Sequence, residues 1–298
     1  MIKFFSILFF ACTTFALGAS VALSHIVILG DPHIPGKKME RKEAVLQTLN
    51  AWSDVSFVVA IGDLCSQTGT QEEYAMAKAY FSKLSHPLYP ITGNHDFIYE
   101  DALDENGKLK HASVEIQKQK LETFQKTFGL SKLYYTHVQE PYLLIFLSAD
   151  TPEYLSGLSS EQLLWFENTL QQHSTKPTIV FFHAPLDKTL ESYKHWVNTP
   201  SFIAQPRENI KAILEKNPHI FLWVSGHTHT SPEEPSFASP INRYENQLTN
   251  IHNADMNKET IWTNSLLLYP DKIVVKTYNH TTQTWLEELT RTFIKPTF

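Results

Sequence analysis

The sequence predicts an α/β sandwich, and three observations carry that prediction. Short apolar runs alternate with helix-period segments through the first two thirds of the chain. The last part alternates as strands only. Five of the apolar runs end in a polar cluster of aspartate, asparagine or histidine. Strand–helix alternation suits a parallel sheet, whereas a strands-only tail argues against a plain doubly wound one.

Residues 25–29 (HIVIL) form a short apolar run that reads as a buried strand and runs into Gly30-Asp31-Pro32-His33. Residues 38–52 read as a helix with Val45, Leu46, Leu49 and Trp52 on one face. Residues 57–61 (FVVAI) are a second strand, ending in Gly62-Asp63. Thr70 and Glu73 make a capping box for a helix that carries Tyr74, Ala77, Phe81 and Leu84. Residues 88–92 are a third strand, ending in Gly93-Asn94-His95-Asp96. Residues 97–112 read as a polar loop and 114–128 as a helix. Two neighbouring strands follow at 133–137 and 142–147, and Ser159 with Gln162 opens a helix through Leu163, Phe166 and Leu170. The strand 178–182 (TIVFF) ends at His183. Pro206 precedes a helix with Ile210, Ile213 and Leu214, and the strand 220–224 ends in Ser225-Gly226-His227-Thr228-His229. Residues 230–256, rich in Pro, Ser and Asn, read as a long loop or insertion over the site. Strands are expected at 261–267, 273–278 and 285–292.

With 298 residues, 42% of them apolar, the chain can bury a sizeable core, and without repeat or linker a single domain over 21–298 is the simpler division. A net charge of −6 gives no nucleic-acid-binding signature. A phosphorylated substrate stays open, because bound cations reverse the local field. Lys3, the apolar run 4–17 and the small residues Gly18, Ala19 and Ser20 read as a signal peptide over 1–20. Cleavage after Gly18 or Ser20 is expected, which implies export to a periplasm or the medium with no stable membrane span afterwards. The rival reading is an uncleaved anchor over 4–22. Cys12 leaves with the signal, so Cys65 stands alone, with no intrachain disulfide, and a small buried role suits it.

The chemistry sits in the five strand-end clusters. In open α/β sheets such positions form one crevice at the carboxyl ends of strands. Two aspartates, one asparagine and several histidines suit Zn, Mn, Fe or similar ions, and a thiolate-rich zinc site is excluded by the cysteine count. Two ions about 3.5–4 Å apart clamp a phosphoryl group. Taken singly, each cluster is what a turn or a satisfied half-buried histidine supplies. Gly226-His227-Thr228-His229 is the least easily dismissed, since side chains at i and i+2 of an extended chain point the same way. Five in series, each after an apolar strand, are a far stronger signal.

These motifs, DPH at 31–33, GD at 62–63, GNHD at 93–96, His183, and GHTH at 226–229, resemble the calcineurin-like metallophosphoesterases over roughly residues 25–230. The segment LSSEQLLWFENTL is similar to the bacterial phosphodiesterase-like branch. The resemblance implies a four-layer αββα sandwich of two mixed sheets flanked by helices. It implies two metal ions, divalent or trivalent, with Mn, Fe or Zn expected. Asp31, His33 and His229 would hold one ion and Asn94, His183 and His227 the other, with Asp63 bridging. His95 would be the general acid, with Asp96 hydrogen-bonded behind it. A metal-bridging hydroxide would attack phosphorus in line.

The expected substrate is a small phosphodiester: a cyclic nucleotide, a nucleotide or a lipid head group. A phosphomonoesterase with the same site, or a non-catalytic metal-binding scaffold, are the alternatives. Substrate-binding residues are not readable; loops 97–112, 186–206 and 230–256 should hold them, with Phe97, Ile98, Tyr99 and Phe237 as candidate pocket walls. His195 reads as an exposed surface histidine, and Lys37, Lys38, Arg41 and Lys42 as a solvated helix start.

Overall fold

The computed structural model describes residues 21–297; the segment read as a signal, residues 1–20, lies outside the described residues. In chain order the elements are β1 (Ser24–Leu29), α1 (Met39–Ala51), β2 (Phe57–Ile61), α2 (Gln71–Phe81), β3 (Leu88–Ile91), α3 (Asn94–Phe97) and α4 (Val114–Phe128). Then come β4 (Tyr135–Gln139), β5 (Tyr142–Phe146), α5 (Ser160–Gln172), β6 (Thr178–Phe181), α6 (Arg207–Lys216) and β7 (Ile220–Ser225). The chain ends with β8 (Arg243–Tyr244), β9 (Leu248–His252), β10 (Trp262–Leu268), β11 (Lys272–Asn279), β12 (Thr284–Trp285) and β13 (Arg291–Ile294).

The strands make two mixed sheets. One runs β12-β11-β10-β1-β2-β3, with β13 also on β11; the other runs β4-β5-β6-β7-β9-β8. Within the first, β1, β2 and β3 are parallel and β10 joins β1 antiparallel. Within the second, β5, β6, β7 and β9 are parallel. Period-2 alternation sends each buried strand's side chains to two different cores. Ile26 and Ile28 of β1, Val59 and Ile61 of β2, Leu144 and Phe146 of β5, and Ile179 and Phe181 of β6 meet between the sheets. Val27, Leu29, Val58 and Ala60 face the other way, against Val45 and Leu49 of α1, Tyr74 and Ala77 of α2 and Phe124 of α4. Leu143, Ile145 and Val180 pack on Phe166 and Leu170 of α5 and Ile210 and Leu214 of α6. The result is the expected four layers, helix, sheet, sheet, helix. Phe146 and Phe181, register partners on β5 and β6, stack at 4.9 Å within the inter-sheet core, each fully buried ring contributing about 1.5–3 kcal/mol. A register shift between β6 and β7 leaves Phe221 as an extra residue, which restores Leu222 and Val224 to the inter-sheet core and sends Trp223 toward the helices.

Several local expectations are corrected. Residues 230–256 are not one loop: β8 and β9 lie within them, and β9 extends the parallel sheet beside β7. β9 is disguised because its polar residues are buried and satisfied. Asn250 accepts from the Leu186 N–H (2.9 Å) and donates to Ser225 Oγ (2.8 Å), and the His252 ring donates to the Thr189 carbonyl (3.1 Å). The strand expected at 285–292 is broken into β12 and β13, because the chain turns at Glu287–Leu289 to pair with both ends of the long β11. The Thr70–Glu73 box forms in full. At α5 only half of a box forms: Ser159 accepts from the Gln162 N–H, but the Gln162 side chain turns to the backbone of Ser148, and Asp150 takes the Ser159 N–H. Phe97, Ile98 and Phe237 are buried rather than lining a pocket. Among the described residues no helix is long and apolar enough to cross a membrane.

Candidate metal centre

The parallel strands of both sheets point their carboxyl ends to the same edge, and all five clusters lie there. After β1, β2 and β7 the chain turns through left-handed residues: Asp31 (φ 36°), His33 (48°), Asp63 (52°), His227 (63°) and His229 (53°). Such conformations are costly for non-glycine residues and concentrate at functional sites. Two glycines make room. Gly62 has φ 94°, and a Cβ there would strike the His183 ring; a Cβ on Gly226 would strike the Asp31 carboxylate, which accepts the His227 N–H at 2.9 Å.

The donors fall into two groups. Ligand atoms of Asp31, His33, Asp63 and His229 lie within 4.8 Å of one another, and so do those of Asp63, His183 and His227. Asp63 belongs to both. Asn94 joins the second group, its Oδ1 3.2 Å from His183 Nε2, while its Nδ2 donates to the Tyr99 hydroxyl (3.2 Å). In the first group His33 Nε2 and His229 Nε2 face each other at 3.5 Å, and His229 Nε2 is 3.0 Å from Asp31 Oδ2. Ring nitrogens and carboxylate oxygens aimed at a common point, with no thiolate, fit a pair of first-row ions.

Each histidine of the second group is oriented from behind. His183 Nδ1 donates to the Ile61 carbonyl (2.9 Å), turning Nε2 toward Asp63 at 3.3 Å. His227 Nε2 donates to the Ser201 carbonyl (2.9 Å), and Phe202 stacks on its ring at 4.9 Å. Burial would raise the Asp63 carboxyl, but the His183 and His95 rings outweigh it and hold it well below the usual range. Burial pushes His33 down to about 4 and His227 down to about 3, so both present neutral rings. Burial acts in the same sense on His183, but Asp63 outweighs it and raises that ring to about 9.

His95 is half-buried at the rim. Its backbone N–H donates to Asp63 Oδ1 (2.8 Å), and its ring Nδ1 donates to the Gln67 carbonyl (2.6 Å). The expected Asp96–His95 hydrogen bond is not formed. Neighbours on the short α3 point to different sides. Asp96 instead accepts from the N–H groups of Cys65 and Gly93, both at 2.8 Å, and so ties the Asp63 turn to the Asn94 turn. Burial, with Asp63 nearby, raises its carboxyl to about 7.

Lys42 is a second correction. It is fully buried, and its Nζ donates to the Pro32 and His33 carbonyls and to Asn257 Oδ1, each at 2.7 Å. Lys38 and Arg41 are surface cations paired with Glu259. Cys65 is buried and free, and His195 is exposed. Sequence reading missed Asp255, whose Oδ2 lies 3.1 Å from His229 Nδ1. Its signal was an acid following a strand, hidden in the polar stretch after β9.

A family model described as calcineurin-like phosphoesterase matches residues 24–231. A protein of Arcobacter nitrofigilis named a probable glycerophosphodiester phosphodiesterase is 26% identical over 217 residues, covering 68% of this chain and 71% of that one. A probable cyclic nucleotide phosphodiesterase of Moraxella catarrhalis is 22% identical over 211 residues, covering 69% and 71%. A dimetal phosphatase from Danio rerio superposes with a TM-score of 0.62 at 14% identity, covering 92% of this chain and 100% of that one.

Proposed function

Because the chain belongs to the calcineurin-like phosphoesterase family, we propose that it is a dinuclear metal-dependent phosphodiesterase. The observation that carries the reading is Asp63, itself buried, shared by the two donor groups and accepting the His95 N–H. When bound, two ions would neutralise the phosphoryl oxygens and lower the pKa of a water between them. Mn, Fe or Zn suits the mixed nitrogen and oxygen donors. Asp31, His33 and His229 would hold one ion, and Asn94, His183 and His227 the other, with Asp63 on both. His95 would donate a proton to the leaving oxygen from Nε2, since Nδ1 is committed to Gln67.

The diester preference is supported by the names of the two relatives, one a glycerophosphodiester and one a cyclic nucleotide phosphodiesterase. We propose also that the chain is exported, on the apolar run 4–17 and the small residues after it. Purified protein with added Mn or Zn should cleave bis-p-nitrophenyl phosphate faster than p-nitrophenyl phosphate. Cleavage of neither would overturn the reading, and a faster monoester rate would reverse the preference.

A further inference from the structure

The first donor group is braced differently from the second. His183 and His227 lean on backbone carbonyls, those of Ile61 and Ser201. His229 leans on a carboxylate. Its Nδ1 lies 3.1 Å from Asp255 Oδ2 while its Nε2 faces Asp31 and His33. Asp255 is 2% exposed and follows β9, beyond the stretch matched by the family model. It is itself fixed: Oδ1 accepts the Asn257 N–H, and Lys258 Nζ lies 3.5 Å from Oδ2. Asn257 Oδ1 accepts from Lys42, which also holds the Pro32 and His33 carbonyls. One belt, residues 255–257 with Lys42, therefore grips two members of the first group, His229 by its ring and His33 by its backbone.

A carboxylate behind a ligating imidazole fixes its tautomer and makes the facing nitrogen a stronger donor, and losing such a partner costs tenfold to a hundredfold in metal affinity. We propose that Asp255 is a positioning residue that sets the affinity of the first metal position through His229, so that the two ions are held by separable supports. The inference rests on the two-ion reading of the site and not on which ester is cleaved.

The test is zinc binding, not turnover. Wild-type chain should take two zinc ions. Asp255→Asn should hold one ion with wild-type affinity and the other tenfold to a hundredfold more weakly. Two ions held as in wild type, or both weakened alike in a folded variant, would overturn the proposal. A wild-type chain that takes up no zinc sinks the two-ion reading and this one with it. Nitrogen NMR of the zinc-loaded wild type gives a reading independent of any variant's folding. His229 should carry its proton on Nδ1, and a proton on Nε2 would refute the assignment.

Discussion

At the scale of single residues, three imidazoles of the site have their second ring nitrogen already committed, His183 to Ile61, His227 to Ser201 and His229 to Asp255. His95 has spent Nδ1 on Gln67, so Nε2 is the atom left to act. His95→Ala should lower kcat by about 10²–10⁴-fold, the range of a lost general acid, with both metal ions retained; loss of metal in that variant would show a ligand instead. Lys42 is the corresponding case behind the ligands. Lys42→Met would leave the Pro32 and His33 carbonyls buried without a donor. A stability loss of about 1–3 kcal/mol is expected, read as a lowered urea midpoint.

At the scale of elements, the strand-to-turn junctions govern the site. Gly62 is left-handed and lies under the His183 ring. Gly62→Ala should therefore both strain the turn and push His183 out of line. The expected result is a lower melting temperature and loss of the ion shared by His183 and His227, against an unchanged metal content if the turn can give. The same junctions explain what was legible in the sequence. β1, β2 and β6 are doubly buried apolar runs, so their ends, and Asp31, Asp63 and His183 with them, could be placed by pattern. β9 could not, because Asn250 and His252 look like loop residues until their buried partners are known. Asp255 was lost with it. Lys42 looked solvated because charge alone does not reveal three carbonyl-type acceptors converging on one ammonium. Asp96 was placed at the right edge and given the wrong partner, since spacing in sequence says little about direction within a one-turn helix.

At the scale of the whole molecule, burial of neutral histidines makes folding sensitive to acid. His252 is fully buried and pushed down to about 3, against about 6.5 for an unfolded histidine. Between those values the unfolded chain binds the extra proton, so the contribution is complete above about pH 6.5 and is lost as pH falls, by up to about 1.4 kcal/mol per unit. His33 and His227 act in the same sense in the metal-free protein. Asp96 and Asp150, raised by burial to about 7 and about 6, act in the opposite sense. The metal-free protein's urea midpoint should fall from pH 7 to pH 5, and His252→Gln should fall less; equal slopes would remove His252 as a contributor.

The donors are drawn from both sheets and from widely separated stretches of chain, Asp31 after β1 and His229 after β7. No early fragment of the chain can offer a complete grip on an ion. Long loops must close before such contacts can form, and that closure is slow. An ion held by these donors would therefore be acquired late in folding. Refolding without metal should proceed at the same rate as with it, and activity should return only when an ion is added afterwards. A folding rate that rises with metal concentration would instead mark the ion as part of the nucleus.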